Sequence, residues 1–139
     1  MKEPGRGMKP ASTPAAVNHP PAGTTGNLFS AVKHGPLEQV DVLAGCGNVT
    51  IERIVSMAHA SPAGFWYDSP RDEWVVLLSG AAALEFEHAD APYEMRPGDY
   101  MLIAAHRRHR VAWTHPDQPS VWLAVHYSAE VDKQPDDRG

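Results

Sequence analysis

Short apolar segments alternate with turn signals along most of this sequence, and that rhythm restricts the possible folds more than any other feature. The turn signals are rich in Gly, Pro and Asp and recur about every 8 to 12 residues. No segment has the 3.6-residue apolar period of an amphipathic helix. The strand candidates are residues 37–43, 49–56, 74–78, 82–87, 100–103, 108–114 and 121–127. These seven segments, in a chain with room for about eight short strands and with no helix, predict an all-β sandwich or barrel.

Composition and charge exclude two classes of partner. The 139 residues carry a formal net charge of -5 and no basic stripe that would neutralise phosphates, so we expect no nucleic-acid partner. No apolar run approaches the roughly 20 residues that span a bilayer, so we expect no membrane association. The chain has one cysteine, Cys46, which cannot form an intrachain disulfide and fits a reducing, cytoplasmic location.

The sequence divides into one domain with a tail at each end. Residues 1–26 are dominated by Pro, Ala, Gly, Ser and Thr and show no apolar period, which predicts a disordered tail. Residues 27–128 contain all of the strand candidates and predict a single β domain. Residues 129–139 are polar, and we expect them to form a flexible C-terminal tail.

The face on which each side chain lies follows from strand alternation, and it directs His109 inward. In the segment 108–114, His109 and Trp113 share one face, and Arg108 and Arg110 share the other. Because two arginines do not face an apolar core, we expect His109 to point into the barrel and Trp113 to wall the cavity beside it.

The same alternation directs Glu73 inward. Glu73 shares a face with Val75 and Leu77, so it lies at the mouth of an apolar row. Trp66 and Asp68 also share a face in the segment that precedes it. An inward carboxylate and an inward imidazole on neighbouring strands are typical of a metal or ligand site in a barrel.

The spacing of these residues resembles that of the cupins, in particular small single-domain bacterial cupins of the RmlC-like superfamily. Glu73 precedes Gly80 by the spacing of their first motif, and Gly98 precedes His109 by the spacing of their second. The resemblance covers residues 49–127 and implies a jelly-roll barrel, the double-stranded β-helix.

The chain departs from both cupin motifs. The first motif's paired histidines fall on Trp66 and Asp68, so this sequence resembles a variant subgroup without the His-x-His pair. The second motif's Pro, Gly and Asn are Ala104, His106 and Trp113.

Cupins with complete motifs bind a divalent metal through three histidines and one glutamate, and the resemblance implies a candidate set here. Glu73 and His109 match family ligands and are also the candidate catalytic residues. Asp68 takes the place of one histidine as an oxygen ligand, and His106 lies three residues before His109. The mixed donors suit Fe, Mn, Ni or Zn. The candidate ligand-binding residues are Trp66, Trp113 and His126.

Three functions are consistent with these residues. The first is a metal-dependent dioxygenase, isomerase or lyase acting on a small metabolite, which is anionic if an arginine of the 107–110 cluster reaches the mouth. The second is a non-catalytic cupin that binds or senses a small ligand. The third is a metal-free isomerase that uses His109 with Glu73 or Asp68 as an acid/base pair.

The sequence also predicts an apolar surface that another part of the chain or a second subunit must shield from water. Trp74, Val76 and Leu78 form an apolar row on the outer face of their strand. We expect either the hairpin formed by residues 37–56 or a second subunit to cover this row. Small cupins are often dimers, so the resemblance implies a homodimer.

Overall fold

The computed structural model describes residues 19–34 and 37–128, and these residues confirm the predicted all-β fold. The strands are β1 (Gln39–Cys46), β2 (Val49–Ser56), β3 (Asp72–Ser79), β4 (Ala82–Phe86), β5 (Tyr93–Met95), β6 (Tyr100–Ile103), β7 (His109–Thr114) and β8 (Ser120–Tyr127). Seven of them overlap predicted segments. The three-residue strand β5 was not predicted. Within the described ranges, no helix is long and apolar enough to cross a membrane.

The strands form two antiparallel sheets. The larger has the order β1-β2-β8-β3-β6, and the smaller has the order β5-β4-β7. The connections cross between the sheets, as in a jelly roll.

The apolar core lies between the two sheets. Val75 and Leu77 of β3 are 3% and 0% exposed, as their predicted inward face requires. The remaining buried members of this core come from both sheets: Ala82, Leu84, Phe86, Met95, Ile103, Trp122 and Ala124. Alternation therefore predicted the inner face of β3 correctly.

A tight turn at Gly80 links the two sheets. Gly80 has a φ of 90°, which lies in the left-handed region that residues other than glycine rarely adopt. A Cβ at this position would also lie 2.6 Å from the Cα of Ser120. The Ser120 hydroxyl accepts a bond from the backbone N of Ala81 at 3.2 Å, which ties the turn to β8.

The β1–β2 hairpin forms as predicted but does not cover the outer row. β2 pairs with β8 along its full length, so the hairpin extends the larger sheet sideways. The outward-facing Trp74 instead contacts the ring of Tyr100, with centroids 5.6 Å apart.

Residues 19–34 run as turns and irregular backbone beside β1 and β2. The buried Arg53 of β2 holds this segment: it bonds the carboxylate of Asp41 at 2.7 Å and the backbone oxygens of Leu28 and Ser30. Residues 1–18 of the predicted N-terminal tail, and the predicted C-terminal tail 129–139, lie outside the described residues.

Candidate functional site

A cavity of about 150 Å³ lies between the two sheets. An apolar cavity of this volume accommodates a molecule about the size of benzene. Its polar lining residues are Glu38, Tyr67, Ser69, Glu73, His109 and His126, and its apolar lining residues are Ile54, Val75, Leu84, Ile103, Val111 and Trp122.

Strand register aligns three polar residues in one row of the larger sheet, and two of them, His126 and Glu73, line the cavity. Thr50 lies opposite His126, and His126 lies opposite Glu73. Directly opposed residues project from the same face of a sheet. Glu73 and His126 are therefore neighbours inside the barrel, although 53 positions separate their numbers in the chain.

His109 approaches Glu73 from the smaller sheet. Its Nε2 lies 3.6 Å from Oε1 of Glu73, and the two side chains are only 9% and 14% exposed. This separation exceeds a hydrogen bond, so the contact is electrostatic. The Nδ1 of His109 lies 2.9 Å from the carbonyl oxygen of Arg107. Because a carbonyl only accepts, Nδ1 carries a proton, and Nε2 is the atom turned toward the carboxylate.

His126 is held by a second carboxylate. Its Nε2 lies 3.1 Å from Oε1 of Glu52, and both side chains are largely buried. The imidazole therefore lies between two carboxylates, Glu52 on β2 and Glu73 on β3.

The pKa of Glu73 is lowered by its positive neighbours. Burial alone would raise this pKa, because it disfavours the charged form. The interaction with His109, the positive charges of His126 and His109, and the guanidinium of Arg71 outweigh burial, and the pKa falls below its ordinary value of 4.5. Glu73 is therefore ionised at neutral pH and able to accept a proton.

The pKa of His126 moves in the opposite direction. Burial favours the neutral imidazole, and Arg71 also lowers this pKa. The hydrogen bond to Glu52 and the charges of Glu73 and Glu52 outweigh both, so the pKa of His126 rises above 6.5. The site thus holds an ionised carboxylate beside an imidazole that retains its proton.

Asp68 and His106 form a separate pair outside the cavity. His106 Nδ1 lies 2.8 Å from Oδ1 of Asp68, and these side chains are 68% and 47% exposed. The backbone of His106 has a φ of 65°, and its N donates to the carbonyl of Ser69 at 2.7 Å. This turn directs the imidazole away from the cavity, so the structure does not bring Asp68 and His106 together with Glu73 and His109.

Trp113 does not wall the cavity, and the reason is a bulge in β7. Ala83 pairs with Trp113 and Leu84 pairs with Val111, so Ala112 is an extra residue in the β4–β7 ladder. A bulge interrupts strand alternation. Val111 keeps the inward orientation of His109, whereas Trp113 is 41% exposed.

Trp66 also lies outside the cavity. Tyr67 pairs with His109 through an isolated bridge, and Tyr67 and Ser69 line the cavity. Trp66 alternates with them and contacts the guanidinium of Arg110, which lies 6.0 Å from the centre of the indole ring. The predicted common face of Trp66 and Asp68 is therefore the outer face.

The arginine cluster at 107–110 is occupied by other contacts. Arg108 bonds Glu87 at 2.9 Å, and Arg110 bonds Glu85 at 2.7 Å. The guanidinium of Arg107 lies over the ring of Phe86, 4.4 Å from its centroid. None of these arginines lines the cavity.

The candidate metal ligands do not come together in one site as predicted. A metal held by protein side chains needs at least three donors that converge on one point. Over residues 19–34 and 37–128, no three His, Cys, Asp or Glu side chains do so. Glu73 and His109 face each other, whereas Asp68 and His106 bind each other outside the cavity.

Glu52 and Arg71 are site residues that the sequence reasoning missed. Glu52 lies between Thr50 and Ile54 on the inward face of β2, and Ile54 lines the cavity. Arg71 immediately precedes β3, two positions before Glu73, and its guanidinium reaches Thr50, which is on the same face as Glu73. Strand alternation, applied to the inward face of β2 and to the residue just before β3, was the signal that could have found both.

The sequence and the fold were compared with known proteins. Residues 55–126 match the sequence profile of the family described as Cupin domain. A solved structure from Ralstonia eutropha JMP134, described as a candidate mannose-6-phosphate isomerase, is 52% identical to this chain. That alignment covers 76% of this chain and 99% of the other, with a TM-score of 0.74.

More distant structures share the fold alone. A cupin superfamily protein from Desulfitobacterium hafniense is 17% identical over 81% of this chain and 96% of its own, with a TM-score of 0.62. An RmlC-like cupin from Shewanella frigidimarina is 11% identical over 85% of this chain and 100% of its own, with a TM-score of 0.61. The comparison with curated proteins finds no match.

Proposed function

We propose that this chain, which belongs to the cupin domain family, is an isomerase. It would move a proton within a small hydroxycarbonyl metabolite by acid/base catalysis. The observation that carries the proposal is the pairing of Glu73 with His126 in one cavity, with their pKa values moved in opposite directions. Titratable neighbours whose pKa values diverge are typical of an assigned base and acid. His109 completes the site by facing Glu73 from the other sheet.

Each group has a defined role in this reaction. Glu73 takes the proton from the carbon that bears a hydroxyl beside the carbonyl, and the C–H electron pair forms a carbon–carbon double bond. His126 donates its proton to the carbonyl oxygen, which gives a neutral enediol.

The second half of the reaction restores both groups. His126 takes the proton of the other hydroxyl as the new carbonyl forms, and Glu73 returns its proton to the neighbouring carbon. The product is an isomer of the substrate, so the reaction requires no oxidant or reductant. His109 orients the Glu73 carboxylate and favours its charged form.

The relative from Ralstonia eutropha supports this reaction class. Its description names a candidate mannose-6-phosphate isomerase, and it is 52% identical to this chain. Conversion of an aldose to a ketose moves a hydrogen between adjacent carbons, as the reaction proposed here does. A hexose phosphate is larger than a cavity of about 150 Å³, so only its carbonyl end would enter.

Solvent isotope exchange tests the proposal. The protein is incubated in D₂O with mannose 6-phosphate, glyceraldehyde 3-phosphate or glyceraldehyde, and deuterium at the carbon beside the carbonyl is measured by NMR. Loss of a general base lowers a rate by about 100-fold or more, so Glu73→Gln should exchange at least 100-fold more slowly. Arg108→Gln, which alters an exposed arginine paired with Glu87, is the matched control and should exchange like the wild type.

Two results would reject the isomerase. One is the absence of exchange with all three compounds, and the other is exchange that Glu73→Gln leaves unchanged. Tight binding of one compound without exchange would favour the non-catalytic ligand-binding cupin instead.

A divalent metal is a second candidate feature of the site, and one observation favours it. His109 donates Nδ1–H to a backbone carbonyl and turns Nε2 toward Glu73, an arrangement that metal-binding histidines commonly adopt. The pair supplies two of the three or more ligands that Fe, Mn, Ni or Zn would need. Elemental analysis of the wild type beside His109→Ala distinguishes the two candidates: a stoichiometric metal that the variant loses favours the metal.

We also propose a cytoplasmic homodimer. The outer face of the larger sheet exposes Tyr100 and Leu102 by 63% and 59%, next to Trp74. A second copy would cover this apolar surface. Sedimentation of the wild type beside Leu102→Glu tests the dimer, which the variant should weaken. The free Cys46 is consistent with a reducing compartment.

A further inference from the structure

We infer that Arg71 is the anion-binding residue of this site, and that the substrate therefore carries a carboxylate or phosphate group. The inference rests on the proposed function in that it assigns a substrate class to the same cavity.

Arg71 lies beside the cavity lining and bonds residues next to it through both its backbone and its side chain. Its backbone N donates to the hydroxyl of Ser69 at 3.1 Å, and Ser69 lines the cavity. Its Nη1 donates to Oγ1 of Thr50 at 3.0 Å. Thr50 lies opposite His126 on the adjacent strand. The side chain therefore extends from the start of β3 across β8 to β2, beside the row that holds His126 and Glu73.

The guanidinium has donors left for a ligand. Arg71 is half-buried, and Thr50 is the one side-chain partner of its guanidinium among the described residues. Within that part of the chain, the arginines in ion pairs with carboxylates are Arg53, Arg108 and Arg110. An arginine has five N–H donors, and its planar fork suits a carboxylate or phosphate. No carboxylate oxygen of the described residues lies within 4 Å of this guanidinium, so its remaining N–H donors are open to a ligand anion.

The neighbouring charges explain why an anion needs this residue. Glu73 and Glu52 would repel an anionic substrate that enters the cavity. Arg71 already acts on the site electrostatically, since it lowers the pKa of both Glu73 and His126. Its position at the edge of the row leaves the cavity free for the carbonyl end of the substrate and holds the anionic group outside.

Binding of simple anions tests the inference independently of turnover. Calorimetric titrations at low salt use inorganic phosphate, acetate and, as a neutral probe, glycerol. Because charge-assisted contacts are short and strong, Arg71→Gln should raise the Kd for phosphate by about 10-fold or more. Arg108→Gln is the matched control and should change the Kd by less than about 2-fold, because that arginine is exposed and paired with Glu87.

Two further variants separate binding from folding and from catalysis. Arg71→Lys keeps the charge without the planar fork and should recover part of the phosphate affinity, which a purely structural defect would not predict. Glu73→Gln should bind phosphate as tightly as the wild type or more tightly, because it removes a repelling charge while abolishing exchange.

The outcomes are distinguishable. Phosphate affinity that depends on Arg71 in a protein without isotope exchange would retain this inference and reject the isomerase. Phosphate binding that Arg71→Gln leaves unchanged, wild type that binds neither phosphate nor acetate, or equal affinity for glycerol would each overturn the inference. A preference for phosphate over acetate would identify the anionic group as a phosphate, and the reverse preference would identify a carboxylate.

Discussion

A double-mutant cycle on Glu52 and His126 measures whether the buried imidazole carries the charge that the site requires. The single variants Glu52→Gln and His126→Gln and the double variant are unfolded in urea at pH 6, and the coupling energy is taken from the four unfolding free energies. The exposed pair Asp68 and His106 provides a control cycle, with Asp68→Asn and His106→Gln.

The magnitudes follow from distance and burial. Glu52 and His126 are 3.1 Å apart with side chains 21% and 17% exposed. At an effective dielectric constant of about 20, the attraction between unit charges at this distance is about 5 kcal/mol, and desolvation removes much of it. Hydrogen bonds to charged groups contribute about 1.5 to 3 kcal/mol, so we expect a coupling of about 2 kcal/mol. Asp68 and His106 are closer, at 2.8 Å, but exposed, and we expect a coupling below about 1 kcal/mol.

The pH dependence of the coupling identifies its cause. The pKa of His126 is raised, so its contribution to stability is fully present below the unfolded value of 6.5 and is lost as pH rises through the folded value. The coupling should therefore be larger at pH 6 than at pH 9. A buried pair that couples no more strongly than the exposed pair, or equally at both pH values, would refute the assignment of a charged His126.

Three further predictions concern stability and are measured by urea unfolding. The pKa of Glu73 is lowered, so its stabilising contribution is present above pH 4.5 and is lost as pH falls through the folded pKa. The difference in unfolding free energy between wild type and Glu73→Gln should therefore shrink in acid, and a constant difference would contradict this. Gly80→Ala should cost about 2 kcal/mol or more, because the new methyl group meets Ser120 of β8. Gly64 also has a positive φ, 82°, but has open space around it, so Gly64→Ala should cost about 1 kcal/mol. Equal losses would contradict the role of the close approach between Gly80 and Ser120. Leu77→Ala should cost about 2 to 5 kcal/mol because Leu77 is fully buried, whereas Leu37→Ala should cost under about 1 kcal/mol because Leu37 is 86% exposed. A reversed order would contradict the placement of the core.

Alternation and turn signals were sufficient to predict most of the fold. The segments 49–56 and 100–103 coincide with β2 and β6, because their limits are marked by turn residues. β5 was missed because Tyr93–Met95 is too short for a period-2 pattern to be recognised, and two of its three residues are exposed. The larger sheet's strand order depends on non-local pairing, which no local pattern reports.

The site was predictable only where strands are regular. The inward position of Glu73 follows from alternation with Val75 and Leu77, which β3 obeys. Alternation does not hold for Trp113, because an unpredicted extra residue at Ala112 reverses the parity after it. Single-sequence alternation contains no signal for such a bulge.

Loop residues were the least predictable part of the site. Whether His106 faces Asp68 or His109 depends on one backbone torsion, a φ of 65°, that the residue types around it do not dictate. The spacing between His106 and His109 was compatible with a shared site, but spacing along an irregular segment does not determine direction.

An NMR titration of the Glu73 carboxyl and the His126 imidazole in the folded protein shows whether the cavity holds an ion pair. We expect Glu73 to titrate below pH 4.5 and His126 above pH 6.5, because each stabilises the charged form of the other. In Glu73→Gln, the pKa of His126 should fall. A Glu73 carboxyl that titrates above 4.5, together with a His126 imidazole below 6.5, would mean that burial dominates and that the cavity holds two neutral groups. That result would contradict the acid/base site.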